Sequence, residues 1–118
     1  MSLTVGVVGL RRGGSFVPVF NSHPDSEISW ACDLNQERAK SFADTHAIAN
    51  WTGDYEKLLA SDVDAVVVAT PAPLHAEMCI SALEAGKHVL SEVPAVWTLD
   101  EARRLVAAVK QSGRKYMF

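Results

Sequence analysis

Apolar and polar residues along the chain fall into blocks whose period switches between strand-like and helix-like. Leu3-Thr4-Val5-Gly6-Val7-Val8 is a β-rich apolar run that stops at Gly9, and a glycine-rich turn, Leu10-Arg11-Arg12-Gly13-Gly14, follows it. A helix is expected from Ser15 to about Ser22, with Pro18 in its first turn, where the missing N–H costs little. Ile28 to Asp33 reads as the second strand, and Asn35 can cap a helix carrying Ala39, Phe42 and Ala43 at helical spacing. Ala47 to Trp51 carries a weak third strand, and Asp54 is the N-cap of a brief helix through Leu58 and Leu59.

The second half is more regular. Asp64 to Thr70 is nearly all apolar, as a parallel strand covered on both faces requires, and Pro71 and Pro73 end it. Residues from His75 to Ala85 repeat apolar side chains at Met78, Ile80, Ala82 and Leu83, then stop at Gly86. His88-Val89-Leu90 is a fifth strand. Thr98-Leu99-Asp100-Glu101 reads as a capping box, in which the Glu101 carboxylate reaches back to the Thr98 N–H. Its helix would carry Ala102, Leu105, Val106 and Val109 on one face and end at Gly113, before a sixth strand over Lys115 to Phe118. Repeated β–α units with short connections predict an α/β doubly wound parallel sheet of Rossmann type. The expected order is 3-2-1-4-5-6, with the sixth strand at the C-terminus. No linker, repeat or low-complexity stretch divides residues 1–118, so they are expected to form one such domain. The end on strand-like residues without a polar tail points to truncation before a further domain.

Composition narrows the partners. The chain has 118 residues, 48% apolar and 21% charged, the balance of a globular domain with one sizeable core. Its formal charge of −3, from 14 acids against 11 bases, includes no basic block, which argues against nucleic acid and anionic membrane. Nothing resembles a signal peptide, and no apolar run approaches the length of a bilayer span. Cys32 and Cys79 lack metal-ligand spacing and sit in apolar surroundings, as buried free thiols of a reducing cytoplasm would. No metal site is expected.

The densest local chemistry lies where the first strand meets the first helix. A helix N-terminus with bare glycine backbone attracts a pyrophosphate. Aligned to G-x-G-x-x-G, Gly9 and Gly14 fill the first and third positions, Leu10 and Arg12 lie between, and Arg11 replaces the second glycine. Arg11 either obstructs the phosphate or turns outward and adds a cationic contact; Arg12 could supply such a contact as well. Asp33 ends the second strand 24 residues after Gly9, the setting the dinucleotide fingerprint requires. A carboxylate there can accept both adenosine ribose hydroxyls and repel a 2′-phosphate. That favours NAD, while Arg11, Arg12 and Arg38 keep NADP in play.

Several longer segments match a known family in order and spacing. They are Asp54-Tyr55-Glu56-Lys57-Leu58-Leu59, Asp64 through Pro71, Leu74-His75-Ala76-Glu77, Ala82 through Leu90, Glu92-Val93-Pro94, and Thr98 through Ala102. Together they resemble the N-terminal domain of the glucose–fructose oxidoreductase/inositol dehydrogenase family (Gfo/Idh/MocA). The resemblance implies a Rossmann domain that binds NAD(P), joined to a C-terminal α/β domain that supplies much of the substrate pocket and drives oligomerisation. It implies hydride transfer on sugars, polyols or related hydroxy compounds. Thr70 and Pro71 would then line the switch point, His75 would start a helix beside the nicotinamide, and Glu92 would lie near the nicotinamide ribose. Each also has a local reading, as strand terminator, helix cap or solvated loop acid.

Two positions depart from the family pattern. Its usual Glu-Lys-Pro triplet supplies a lysine that assists proton transfer, and here the triplet is Glu92-Val93-Pro94. Valine can neither donate nor accept a proton. The asparagine often found after Thr-Pro is Ala72. No catalytic residue is assigned, and His75 is the one nearby candidate for acid–base work. Three readings stay open: an oxidoreductase in its intact form, a non-catalytic dinucleotide-binding or regulatory module, and a nucleotide-independent interaction domain if Arg11 closes the site. An uncovered face for the second domain could also drive association of copies.

Overall fold

Residues 2–118 are described in this computed structural model, and within them six strands form one parallel sheet. These are β1 (Leu3–Val8), β2 (Ser26–Cys32), β3 (Asn50–Thr52), β4 (Ala65–Val68), β5 (His88–Ser91) and β6 (Tyr116–Met117). Their spatial order is β3-β2-β1-β4-β5-β6, the expected doubly wound order, and every neighbouring pair is parallel. Six helices connect them: α1 (Leu10–Gly13), α2 (Val17–Ser22), α3 (Gln36–His46), α4 (Tyr55–Ala60), α5 (His75–Glu84) and α6 (Leu99–Ser112).

The sheet separates two cores, because successive strand side chains point to opposite faces. Val66 and Val68 of β4 face Leu58, Leu83 and Leu105 from α4, α5 and α6. Val67 joins Val5 and Val7 of β1 against Leu10, Val17, Ala39 and Ala43 from α1 to α3. With both faces covered, apolar residues without alternation are what β4 needs, and Val66, Val67 and Val68 are all fully buried. Side-chain caps start three helices. Asn35 accepts from the Arg38 N–H at 3.0 Å, Asp54 from Glu56 N–H at 3.0 Å and Thr98 from Glu101 N–H at 3.1 Å. Each such cap contributes about 1 kcal/mol.

Several expected boundaries move. The first helical segment starts at Leu10 rather than Ser15, because Gly13 and Gly14 adopt right-handed helical angles instead of breaking the chain. A short 3-10 turn over Gly14–Phe16 then passes into α2. The second strand begins at Ser26, where it gains pairing with Leu3, and the third covers Asn50–Thr52 because Ala47 caps α3 in the left-handed region. The fourth strand is confined to Ala65–Val68, and the sixth to Tyr116–Met117. On α6 the buried positions are Leu105 and Ala108, while Val106 is 53% exposed. The expected capping box is half formed: the Glu101 carboxylate accepts from the Trp97 N–H at 2.8 Å, one residue before Thr98.

Chain order reverses between β1 and β4. Connections from β1 run to one side of the sheet and those from β4 to the other, leaving a crevice beyond their carboxyl ends. The loops after β1, β4 and β5 meet there.

Candidate functional site at the β1/β4 switch point

Gly9 forms the floor of the crevice. It sits at φ 89° and ψ 79° at the start of α1, a conformation L side chains rarely adopt. A Cβ on it would lie 2.6 Å from the carbonyl carbon and oxygen of Ala69 and from the amide nitrogen of Thr70. The turn after β1 therefore rests directly on the backbone leaving β4, and only glycine permits that contact. Gly13 performs the matching task on the strand side, since a Cβ on it would collide with Val7 Cγ1. Gly14, aligned to the third fingerprint position, instead faces the Phe42 ring, 3.1 Å from where its Cβ would be. The role of Gly13 escaped the sequence reading; the Gly13-Gly14 pair was the signal for it.

The first intrahelical bond of α1 runs from Gly13 N–H to Gly9 C=O at 2.8 Å. Helix geometry leaves the Arg11 and Arg12 N–H groups, two residues and one residue earlier, without intrahelical acceptors. Leu10 N–H is taken by Asp33, whose Oδ2 accepts it at 3.0 Å. The other oxygen of Asp33 accepts from Asn35 N–H at 2.9 Å and from Arg38 Nη1 at 3.2 Å. The Asp33 carboxylate is thus turned inward, 8% exposed, and fastens the end of β2 to the first turn. Arg11 and Arg12 are both exposed, and Arg12 Nε donates to Glu92 Oε2 at 2.8 Å, joining the turn after β1 to the loop after β5. The Arg12 hydrogen bond holds the Glu92 carboxyl below its ordinary value.

The β4 exit supplies the third wall. Thr70 Oγ1 is buried without a hydrogen-bond partner, an arrangement that asks for one. Pro71 is exposed, and a 3-10 turn over Ala72–Leu74 leads into α5 at His75. His75 is 1% exposed, with Nδ1 2.8 Å from the Pro94 carbonyl oxygen and Nε2 2.6 Å from that of Thr70. Both ring nitrogens are occupied, so His75 presents neither to a substrate. Glu92 N–H donates to Val68 C=O at 2.9 Å, and a cis peptide bond joins Val93 to Pro94. The Val93 side chain is 62% exposed.

The residues named from sequence therefore assemble on one edge. Gly9, Leu10, Arg11, Arg12 and Gly14 form the first turn, Asp33 buttresses it, and Thr70, Pro71, His75 and Glu92 come from the two neighbouring loops. Two hollows lie elsewhere, one of about 400 Å³ between α4 and α5 and one of about 380 Å³ along α6 and β6. Neither is lined by crevice residues, and the chemistry described above favours the open edge over both. Among the described residues no cluster of three or more His, Cys, Asp or Glu could hold a metal ion, and no helix is long and apolar enough to cross a membrane.

The family described as an oxidoreductase family with an NAD-binding Rossmann fold matches residues 3–118. An uncharacterized oxidoreductase, YrbE, of Bacillus subtilis is 36% identical over 113 residues, covering 94% of this chain and 33% of its own length. An inositol 2-dehydrogenase/D-chiro-inositol 3-dehydrogenase of Shouchella clausii is 37% identical over 119 residues, covering 98% of this chain and 34% of its own. A 3-ketoreductase from Actinomadura kijaniata, solved in complex with TDP-benzene and NADP, superimposes with a TM-score of 0.85 at 36% identity, covering 97% of this chain and 37% of that one. The chain thus spans about a third of the length of the relatives it matches. With the strand order, the glycine turn and the matched residues in agreement, the chain belongs to the Gfo/Idh/MocA family of oxidoreductases and forms its NAD-binding Rossmann domain.

Proposed function

We propose that the carboxyl edge binds a nicotinamide dinucleotide across the β1/β4 switch point, and that the intact protein uses it to oxidise or reduce a sugar, polyol or related hydroxy compound. The observation that carries this reading is the glycine turn at Gly9, which lies so close to the backbone leaving β4 that a Cβ there would meet it at 2.6 Å. The buried, unpartnered Thr70 Oγ1 beside it is a donor and acceptor waiting for a ligand. When bound, the dinucleotide supplies the hydride acceptor or donor. The chain's own residues bind and orient it. The free N–H groups and side chains of Arg11 and Arg12 favour a pyrophosphate, and the exposed position of Arg11 supports its outward reading. Asp33 keeps Leu10 N–H aligned and opposes a 2′-phosphate, while Arg38 on the same carboxylate offsets part of that repulsion. NAD is the favoured cofactor, with NADP as its competitor.

The proton that accompanies hydride transfer comes from outside residues 1–118, since Val93 cannot carry it and both nitrogens of His75 are engaged. A following α/β domain would supply that group and the substrate pocket, and its packing face would drive homo-oligomer formation. Names of relatives support the substrate class: an inositol dehydrogenase, and a reductase of a dTDP-linked dideoxy sugar from Actinomadura kijaniata. The chain's acidic balance fits neither nucleic acid nor membrane, and its two buried free thiols fit a cytoplasmic setting.

Val93 favours one second reading, a dinucleotide-binding module without catalysis. Titrating NADH and NADPH with energy transfer from the three tryptophans as signal tests the binding that both readings require. Saturable transfer supports binding, and its absence with both cofactors defeats both readings. Turnover of a polyol panel by the intact protein then divides enzyme from module.

A further inference from the structure

We infer that His75 is a positioning residue, a two-sided clamp that holds the loop carrying residue 93 against the loop leaving β4. Its ring lies between two backbone carbonyl oxygens from segments 24 residues apart, Thr70 at 2.6 Å and Pro94 at 2.8 Å. Both partners are acceptors. A neutral imidazole donates to one of them and an imidazolium to both. The ring itself is 1% exposed, so its two nitrogens have these oxygens, rather than bulk water, as partners.

The consequence falls on residue 93. Glu92 is pinned on one side of it, by Arg12 through the side chain and by Val68 through the backbone N–H. Pro94 is pinned on the other side by His75. Val93 is therefore held between two fixed neighbours while its own side chain projects outward, 62% exposed. The chain keeps an apparatus for presenting a side chain at this position although the residue presented is a valine. His75 acts through the Pro94 carbonyl and touches no reacting atom; its influence on the cofactor rests on the dinucleotide reading above.

The test needs no ligand at first. In the 118-residue chain, imidazole proton–nitrogen NMR should show an N–H on each His75 ring nitrogen that exchanges slowly with water, unlike those of exposed His23, and an N–H on one nitrogen alone overturns the two-sided hold. A rapidly exchanging His75 N–H overturns the clamp. His75→Phe keeps an aromatic ring but removes both contacts, and His75→Gln restores one donor. Amide shifts of residues 92–97 should change most in the phenylalanine variant and be partly restored in the glutamine variant. Changes spread evenly over α5, with no preference for 92–97, would assign the residue to packing alone. NADH affinity should fall about tenfold in His75→Phe and less in His75→Gln; unchanged affinity in a folded His75→Phe chain refutes the link to the cofactor. If the unaltered chain binds no dinucleotide, the proposed function fails, and the ring N–H still decides the clamp.

Discussion

Replacing Gly9 by alanine separates close backbone approach from ordinary glycine strain. At φ 89° an alanine costs about 1–2 kcal/mol in backbone strain alone. Its Cβ also meets three backbone atoms at 2.6 Å, and none is the end of a flexible side chain that could swing aside. Relief requires the turn and the β4 exit to separate, at a further cost of about 1–3 kcal/mol by analogy with overpacking. The sum is about 2–5 kcal/mol. At about 2.1 cal/mol/K of unfolding entropy per residue, 118 residues lose about 4 °C in Tm per kcal/mol, so a fall of about 8–20 °C is expected. Gly86→Ala provides the control. Gly86 has φ 80° but nothing within 4 Å of its Cβ position, so it carries the backbone strain without the collision. Thermal unfolding followed by circular dichroism should place Gly86→Ala about 4–8 °C below the parent and Gly9→Ala well below that. Equal losses in the two variants would refute the argument that β1 and β4 exits are in obligatory contact.

Three other outcomes follow from the same geometry. Asp33→Ala strands the buried Leu10 N–H and should cost about 1–3 kcal/mol, with Asp33→Asn milder because an amide oxygen can still accept; a chemical denaturation curve superimposable on the parent's would contradict this. Glu92 has its carboxyl lowered by Arg12, so the pair's contribution is present above the ordinary glutamate value of 4.5 and fades as pH falls through the lower folded value. Because the pair is at the surface, that contribution is below about 1 kcal/mol, and in Arg12→Ala the Glu92 titration followed by NMR should move back up toward 4.5. Burial pushes the Cys32 thiol up to about 12, with Asp33 adding to it, and Cys79 up to about 11. Neither should react with an aromatic disulfide reagent at pH 8 until the chain is unfolded; rapid labelling of the folded chain would show that the thiols are more accessible than the packing implies.

The parts of the fold legible in the sequence are those whose cause is local. Asn35, Asp54 and Thr98 cap their helices through bonds spanning two or three residues, and the Val66-Val67-Val68 run needs only a two-sided sheet to explain it. What misled was decided across space. Gly13 and Gly14 look like chain breakers by type, yet they keep right-handed helical angles, and Val7 and Phe42 leave little or no room for a side chain at either. Asp33 was legible as an acid at a strand end but not as a brace, because its partner is the amide of Leu10, and an amide carries no residue signature. His75 was conspicuous by residue type, but its setting was not legible. Its chemistry suggests proton transfer, while its partners are two carbonyl oxygens whose positions only the folded loops determine.

The central claim is that a dinucleotide lies over the carboxyl edge at Gly9. Proton–nitrogen NMR of the chain during titration with NADH tests it residue by residue. The account predicts saturable shifts gathered at residues 9–14, 33–38, 70–75 and 92–94, with the hollows beside α4 and α6 unaffected. Shifts confined to either hollow, or no saturable shifts with NADH or NADPH, would contradict it.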